Sequence, residues 1–229
     1  MKSHEFLPET NSSIDEEKLT ELVGIKNKIK DLPVPNRIRD SDSPYPMGVE
    51  WHDILLKNGF HPLGSGGFGT VWSHPKLSYV LKVFISTDTA YTAWISTARK
   101  HTDNPHMPKF ISKRIVPVTP EVSAIRMEKL TPITNSDDIR IINWSNSVLR
   151  NTGMPSDMTK SPKYKDSSFY INWGSTHPQW IDALDIAKTL IKSGNFEPDL
   201  HDANVMARSD GTLVITDPVF IDSALLKSA

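Results

Sequence analysis

Three short stretches of this 229-residue chain carry groups that could hold a polyphosphate and a divalent cation. The first is Leu63-Gly64-Ser65-Gly66-Gly67-Phe68-Gly69-Thr70-Val71, with glycines at G-x-G-x-x-G spacing ahead of a valine. Glycines without side chains let backbone N–H groups approach phosphate oxygens. A dinucleotide-binding fingerprint needs a helix after the last glycine. Here β-type residues follow, so the pattern suits a hairpin lid, although an unliganded glycine-rich hairpin looks the same. The second stretch places Lys82 inside Val80-Leu81-Lys82-Val83-Phe84, eighteen positions after Gly64. A cation among apolar β-formers is costly to bury unless an anion meets it, and a phosphate is a suitable anion. The alternative is an edge-strand lysine facing water. The third is Asp199-Leu200-His201-Asp202-Ala203-Asn204, with Asp217 thirteen residues after Asn204, in Val214-Ile215-Thr216-Asp217-Pro218. Asp199, Asn204 and Asp217 offer three oxygen ligands of the kind a hard cation such as magnesium prefers. Turn chemistry alone would also favour Asp and Asn here.

Other clusters carry less. His74, His101 and His106 show no metal-ligand spacing with carboxylates and read as surface histidines. Lys160, Lys163 and Lys165 lie among Ser161, Ser167 and Ser168, which suits a solvated face, a substrate-contact loop or an autophosphorylation loop.

The elements that must position these groups are legible from period and punctuation. His61 to Leu63, Thr70 to Ser73 and Tyr79 to Ile85 read as short strands of an antiparallel meander. Tyr91, Trp94, Ile95 and Ala98 fall at helical spacing, predicting a helix over 88–100. Strands are expected near 109–116 and 121–127, then helices over 137–149 and 178–192. Asp210-Gly211 should turn a hairpin that brings Asn204 beside Asp217. Upstream, Ser13 and Glu16 form a capping-box spacing ahead of an amphipathic helix over 14–31, and the Pro-rich run 33–48 reads as a linker. A short helix is expected over 49–57, and the polar stretch 151–175 reads as a long surface loop. The expected organisation is an N-terminal helix and linker over 1–48, a sheet-rich unit over 49–130 and a mostly helical unit over 131–229, an α+β arrangement.

Composition narrows the function class. The chain has no cysteine, so a disulfide framework, a thiolate zinc site and a cysteine nucleophile are excluded. With 26 Lys+Arg against 27 Asp+Glu the net charge is −1, which argues against a strong electrostatic hold on nucleic acid. No run of eighteen apolar residues and no signal-peptide core occurs, so a soluble protein without membrane attachment is expected.

Taken together, the glycine turn, Lys82 and the Asp-x-x-x-x-Asn…Asp spacing resemble the protein-kinase-like superfamily. More narrowly, SHPKLSYVLKVF (73–84), AYTA (90–93), DLHDANVM (199–206) and VITDPVF (214–220) resemble the early serine/threonine protein kinases of lytic short-tailed bacteriophages. The resemblance covers roughly residues 49–221. It implies a two-lobed fold with a small antiparallel-sheet N-lobe and a reduced, mostly helical C-lobe. It also implies a kinase that uses ATP and magnesium to phosphorylate host transcription, translation or RNA-processing proteins in the infected bacterial cytoplasm, in the service of host shutoff. Under it, Gly64, Ser65, Gly66, Gly67, Phe68 and Gly69 would cover the nucleotide phosphates, with Val71 and Val80 lining the adenine pocket. Lys82 would hold the α- and β-phosphates, and Met127, Glu128 and Leu130 would form the hinge, Glu128 and Leu130 offering backbone groups to adenine. Asp199 would orient or deprotonate the attacking hydroxyl, Asn204 and Asp217 would hold magnesium, and His201 would sit beside the transferred group.

The chain departs from the superfamily pattern in several places. No Glu lies between Lys82 and Pro120, so the usual helix partner of the lysine is missing, with Asp88, Asp103 or Asp217 as stand-ins. Glu197 occupies the place of the customary His before the catalytic Asp. Pro218 follows Asp217 and fixes its own φ, which predicts a segment that does not flip. Twelve residues follow Asp217, so the peptide-docking platform is expected to be reduced. His201 fits the D-x-H-x-x-N pattern of small-molecule phosphotransferases, which keeps that activity open, and the missing Glu keeps open a nucleotide-binding pseudokinase that acts by protein contact.

Overall fold

The computed structural model describes residues 55–56, 58–118, 122–151 and 173–221. The expected helix over 14–31, the linker, nearly all of the helix over 49–57 and most of the 151–175 loop lie outside the described residues. The fold is mixed α+β, with antiparallel sheets and helices. Strands β1 (His61–Ser65), β2 (Gly69–Ser73), β3 (Tyr79–Ile85), β4 (Val116–Pro117) and β5 (Val122–Glu128) form one sheet in the order β1-β2-β3-β5-β4. β3 is therefore the middle strand, and Lys82 is not an edge-strand lysine.

The register sorts this sheet's two faces. Directly opposed residues share a face. Val71 opposes Lys82, Lys82 opposes Ile125, and Val80 opposes Met127, so these five side chains stand on one side with Phe84. Trp72, Tyr79, Leu81, Val83, Val122 and Ala124 stand on the other, where they form a cluster with Leu55, Phe60 and Leu77.

Helix α1 (Thr89–Lys100) starts where Asp88 accepts the Tyr91 N–H at 2.9 Å, a side-chain N-cap. Its apolar positions Ala90, Tyr91, Trp94, Ile95 and Ala98 repeat at helical spacing and are all buried. They join Phe84 and Ile125 of the sheet to residues from α2 (Ser136–Arg150) and α3 (Pro178–Gly194) in one continuous core that includes the fully buried Trp94 and Trp180. α2 is capped by Asn135, which accepts the Asp137 N–H at 3.0 Å, and Trp180 Nε1 ties α3 to α2 through Ser145 Oγ at 3.0 Å. The buried Lys188 ammonium donates to the Leu149 carbonyl, one of the last carbonyls of α2 that no later N–H satisfies.

After α3, Asn195 in the left-handed region (φ 53°) turns the chain into β7 (Glu197–Pro198). A 3₁₀ turn over Asp202–Asn204 leads into β8 (Val205–Ala207), β9 (Leu213–Ile215) and β10 (Val219–Phe220). β8 and β9 form the expected hairpin, with Gly211 at φ 87° where a side chain would be strained. β8 also pairs with β6 (Thr131–Pro132), and β10 with β7. Among the described residues no helix is long and apolar enough to cross a membrane.

Two sequence expectations need correction. The strand over 109–116 shrinks to Val116–Pro117 and a single bridge at Phe110. Backbone bonds to β5 persist on either side of Phe110, the Lys109 carbonyl accepting the Glu128 N–H at 2.8 Å and the Ile111 N–H donating to the Arg126 carbonyl at 2.9 Å. Ser112, however, is drawn aside, its carbonyl accepting from Arg99 Nη2 at 2.6 Å and its hydroxyl accepting the Arg126 N–H at 3.1 Å. His74 and His106 are buried and not on the surface. His106 Nδ1 lies 2.7 Å from the Leu213 carbonyl and its ring packs edge-on to Trp180, while His74 tilts against Phe60. Burial holds the His106 ring below the usual histidine range, so it sits neutral in the core.

Candidate functional site

Lys82 comes from the middle of β3 and Asp217 from the turn between β9 and β10, and they meet with Lys82 Nζ 2.6 Å from Asp217 Oδ2. Their side chains are 14% and 22% exposed, so the pair is mostly buried but still reached by solvent. At 2.6 Å the contact is a charge-assisted hydrogen bond. Burial opposes the Lys82 charge, but Asp217 beside it, joined by Asp88, outweighs that and holds the ammonium above the ordinary lysine range. Asp217 is pushed up by burial against the pull of Lys82.

Asn204 lies alongside because the β8–β9 ladder carries it there. Its backbone carbonyl accepts from the Thr216 N–H and from Thr216 Oγ1, both at 2.9 Å, so the residue before Asp217 is bonded twice to Asn204. Asp199 is drawn in from the other side, its N–H donating to the Pro218 carbonyl at 2.8 Å next to the β7–β10 pairing. Asn204 Nδ2 then donates to Asp199 Oδ2 at 3.0 Å and to the Asp199 carbonyl at 2.6 Å. With the NH₂ group spent on Asp199, the amide oxygen is what Asn204 can offer a cation, and Lys82 occupies only one of the two Asp217 oxygens. An amide oxygen and a carboxylate oxygen are hard donors that suit magnesium.

His201 braces this loop. The Ala203 N–H is shared between Asp202 Oδ1 at 3.0 Å and His201 Nδ1 at 3.2 Å. With Nδ1 accepting, a neutral ring would carry its proton on Nε2, which lies 3.7 Å from Asp199 Oδ1 and 3.1 Å from the Asn204 NH₂, itself a donor, so in this tautomer the second contact is not a hydrogen bond. Asp199 and His201 are 40% and 48% exposed, open to an incoming substrate.

The glycine stretch forms the β1–β2 turn, closed by the Gly66 N–H donating to the Gly69 carbonyl at 2.8 Å. Gly64, Ser65, Gly66 and Gly67 are exposed and Phe68 is half-buried, its carbonyl accepting the Ile85 N–H at 3.0 Å. A Cβ on Gly64, Gly66 or Gly67 would meet nothing within 4 Å, and none of the three has a positive φ. Neither packing nor backbone geometry demands glycine there, so the space above the turn is open to a ligand. Gly69 differs: a Cβ would come within 2.8 Å of the Val83 carbonyl, so its glycine is needed for packing. Among the described residues no hydrogen bond joins this turn to Asp199, Asn204 or Asp217.

At the end of β5, Met127 and Leu130 are buried. The Glu128 N–H donates to the Lys109 carbonyl at 2.8 Å, so that donor is already engaged. The Glu128 side chain has a role the sequence did not reveal: Arg208 grips it through Nε to Oε2 at 2.8 Å and Nη2 to Oε1 at 2.7 Å. Arg208 also donates to the Met107 carbonyl at 3.0 Å and to the Pro105 carbonyl, tying the end of β5 to β8. No local signal could have disclosed a bidentate pair 80 residues apart.

Of the proposed stand-ins for the missing Glu, Asp103 is exposed in the turn after α1, whereas Asp88 is buried and close enough to Lys82 and Asp217 to feel both charges. Burial, with repulsion from Asp217, pushes the Asp88 carboxyl up to about 6, against the opposing pull of the Tyr91 N–H and Lys82. The folded state thus binds the Asp88 proton more tightly than the unfolded chain. Its contribution is fully present below about pH 4, where both states are protonated, and is lost as pH rises through about 6. Asp88→Asn keeps an oxygen for the cap and removes the charge. It should therefore be more stable than wild type at pH 8 by on the order of 2 kcal/mol, with the difference closing below pH 4. Denaturant unfolding of both proteins at pH 4, 6 and 8 measures this, and a wild type that is the more stable at pH 8 contradicts it.

No protein-family model matches this chain, and no curated protein matches it.

Proposed function

We propose that this protein is an ATP- and magnesium-dependent serine/threonine protein kinase, with a kinase-like arrangement of its small sheet over a mostly helical part, acting on bacterial proteins in the cytoplasm of a phage-infected cell. The observation that carries the reading is the 2.6 Å meeting of Lys82 with Asp217, with Asn204 and Asp199 hydrogen-bonded to each other in the segment that leads from β7 into β8. A strand lysine, a glycine turn on the adjoining strands and an Asp/Asn/Asp set are the parts phosphoryl transfer requires. The choice of host proteins rests on the sequence resemblance alone.

In this reading Lys82 exchanges Asp217 for the α- and β-phosphates, while the Gly64–Gly69 turn sets backbone N–H groups over them. The Asn204 amide oxygen and the Asp217 carboxylate would hold magnesium, which when bound would neutralise the phosphate charge. Asp199 accepts the proton of the attacking hydroxyl, and its exposure lets a protein side chain reach it. The residues act by positioning and charge, and form no covalent intermediate.

A second reading, a small-molecule phosphotransferase, is favoured by His201, whose Nε2 faces Asn204 and Asp199. Incubating the protein with γ-labelled ATP, magnesium and a bacterial lysate separates the two. Labelled protein bands support the kinase, and labelled metabolites support the alternative. Neither label, with ATP still bound, leaves a nucleotide-dependent binding protein and sinks both enzymatic readings.

A further inference from the structure

Lys82 has a second partner that is not an anion. Its Nζ stands 3.6 Å from the centroid of the Tyr91 ring, directly over the face. Tyr91 is fully buried one turn into α1, and Phe84 packs edge-on against it with centroids 4.9 Å apart. Among the described residues the Tyr91 hydroxyl has no partner in good hydrogen-bond geometry, so its contact with the ammonium is made chiefly through the ring face, with the hydroxyl oxygen close enough to feel the same charge. Asp88, three residues earlier, accepts the Tyr91 N–H and fixes the start of the helix.

We propose that Tyr91 is the positioning residue for Lys82, its ring face filling the place that a helix carboxylate would otherwise take. The inference rests on the proposed role of Lys82 as the phosphate-binding cation. The electrostatics favour a ring in this place. A helix carboxylate would share the lysine's charge and compete with phosphate for it. An aromatic face attracts the ammonium through its quadrupole, fixes the direction in which it points and leaves its full charge available. Asp217 is the exchangeable partner, free to turn to a cation, and Tyr91 is the permanent one. Because Tyr91 belongs to the continuous core shared by α1, α2 and α3, the contact does not depend on a mobile helix. Lys82 is therefore held in place before any nucleotide arrives.

The ring's electronic character can be varied without changing its size. Tyr91→Phe and the mono-, di- and trifluorinated phenylalanines at the same position weaken the quadrupole stepwise while preserving the packing against Phe84. With Lys82 present, the thermal midpoint should fall with each fluorine, by about 2–5 °C over the series. In a Lys82→Met or Lys82→Gln background the slope should fall to less than half, the remainder coming from the edge-on contact with Phe84, which the ring quadrupole also governs. Two backgrounds are specified so that one that folds poorly does not decide the matter. An equal slope with and without Lys82, or no slope, overturns the proposal, because fluorination would then be reporting on packing alone.

The same series tests the link to function. KM for ATP should rise about threefold to tenfold from first to last member while kcat changes less, and Tyr91→Phe alone should stay within about twofold of wild type. A Tyr91→Phe variant as impaired as the trifluorinated one would assign the effect to the hydroxyl and overturn the ring-face mechanism. The midpoint slope needs no nucleotide. Hence a protein that keeps the slope but binds no ATP would refute the proposed function and leave the Lys82–Tyr91 contact standing.

Discussion

On the proposed reading, replacing Asp199 with Asn is expected to cut phosphoryl transfer by about 10²–10⁴-fold, the range a positioned general base contributes, with ATP binding held within about twofold. Asn matches the shape of Asp and can still meet the Asn204 amide, but it cannot take a proton from a hydroxyl. The backbone contact from the Asp199 N–H to the Pro218 carbonyl does not involve the side chain and should survive. Because the side chain is 40% exposed, the substitution should move stability by no more than about 0.5 kcal/mol. Rate and stability are thus expected to separate cleanly. Single-turnover transfer with labelled ATP, beside an unfolding curve, measures both. Undiminished labelling of protein bands would remove Asp199 from its assigned role.

Asp217→Asn should show the opposite balance. On the proposed reading it removes the charged magnesium ligand, a loss on the order of 10³-fold in transfer, equivalent to about 4 kcal/mol. It also leaves Lys82 facing an amide, which should cost about 1–2 kcal/mol of stability. That is less than for a fully buried pair, because the two side chains keep 14% and 22% of their exposure. Transfer across a magnesium titration and denaturant unfolding report the two effects. Wild-type rates at wild-type magnesium would show that Asp217 serves only to pair Lys82.

Much of the fold was legible because its elements carry local periods. Tyr91, Trp94, Ile95 and Ala98 mark one helix face, and the expected start at Asp88 is its N-cap. β3 was read over 79–85 as it stands, and the Asp210-Gly211 turn brings Asn204 to Asp217 as its pattern implied. The gathering of Lys82, Asp217, Asn204 and Asp199 follows from charge and spacing, since a strand lysine demands an anion and the hairpin supplies one.

What escaped the sequence depends on contacts between distant residues. Tyr91 looks like an ordinary core aromatic until Lys82 is placed over its ring. Arg208 and Glu128 look like surface charges until β8 and β5 are brought together. The burial of His106 depends on the Leu213 carbonyl, 107 residues away. For residues 109–115 a local β-like composition lost to the hydrogen bonds that draw Ser112 aside.

The pinned turn after Asp217 bears on how the proposed enzyme could be inhibited. The Pro218 carbonyl is held by the Asp199 N–H, and Val219 pairs with Pro198 immediately beyond. Rotating the aspartate outward would break that bond and the strand pairing together, with the proline ring resisting the turn. Compounds that act by trapping an outward-rotated aspartate would have to break both contacts. An anion that displaces Asp217 from Lys82, competing for the ammonium itself, would not depend on that rotation.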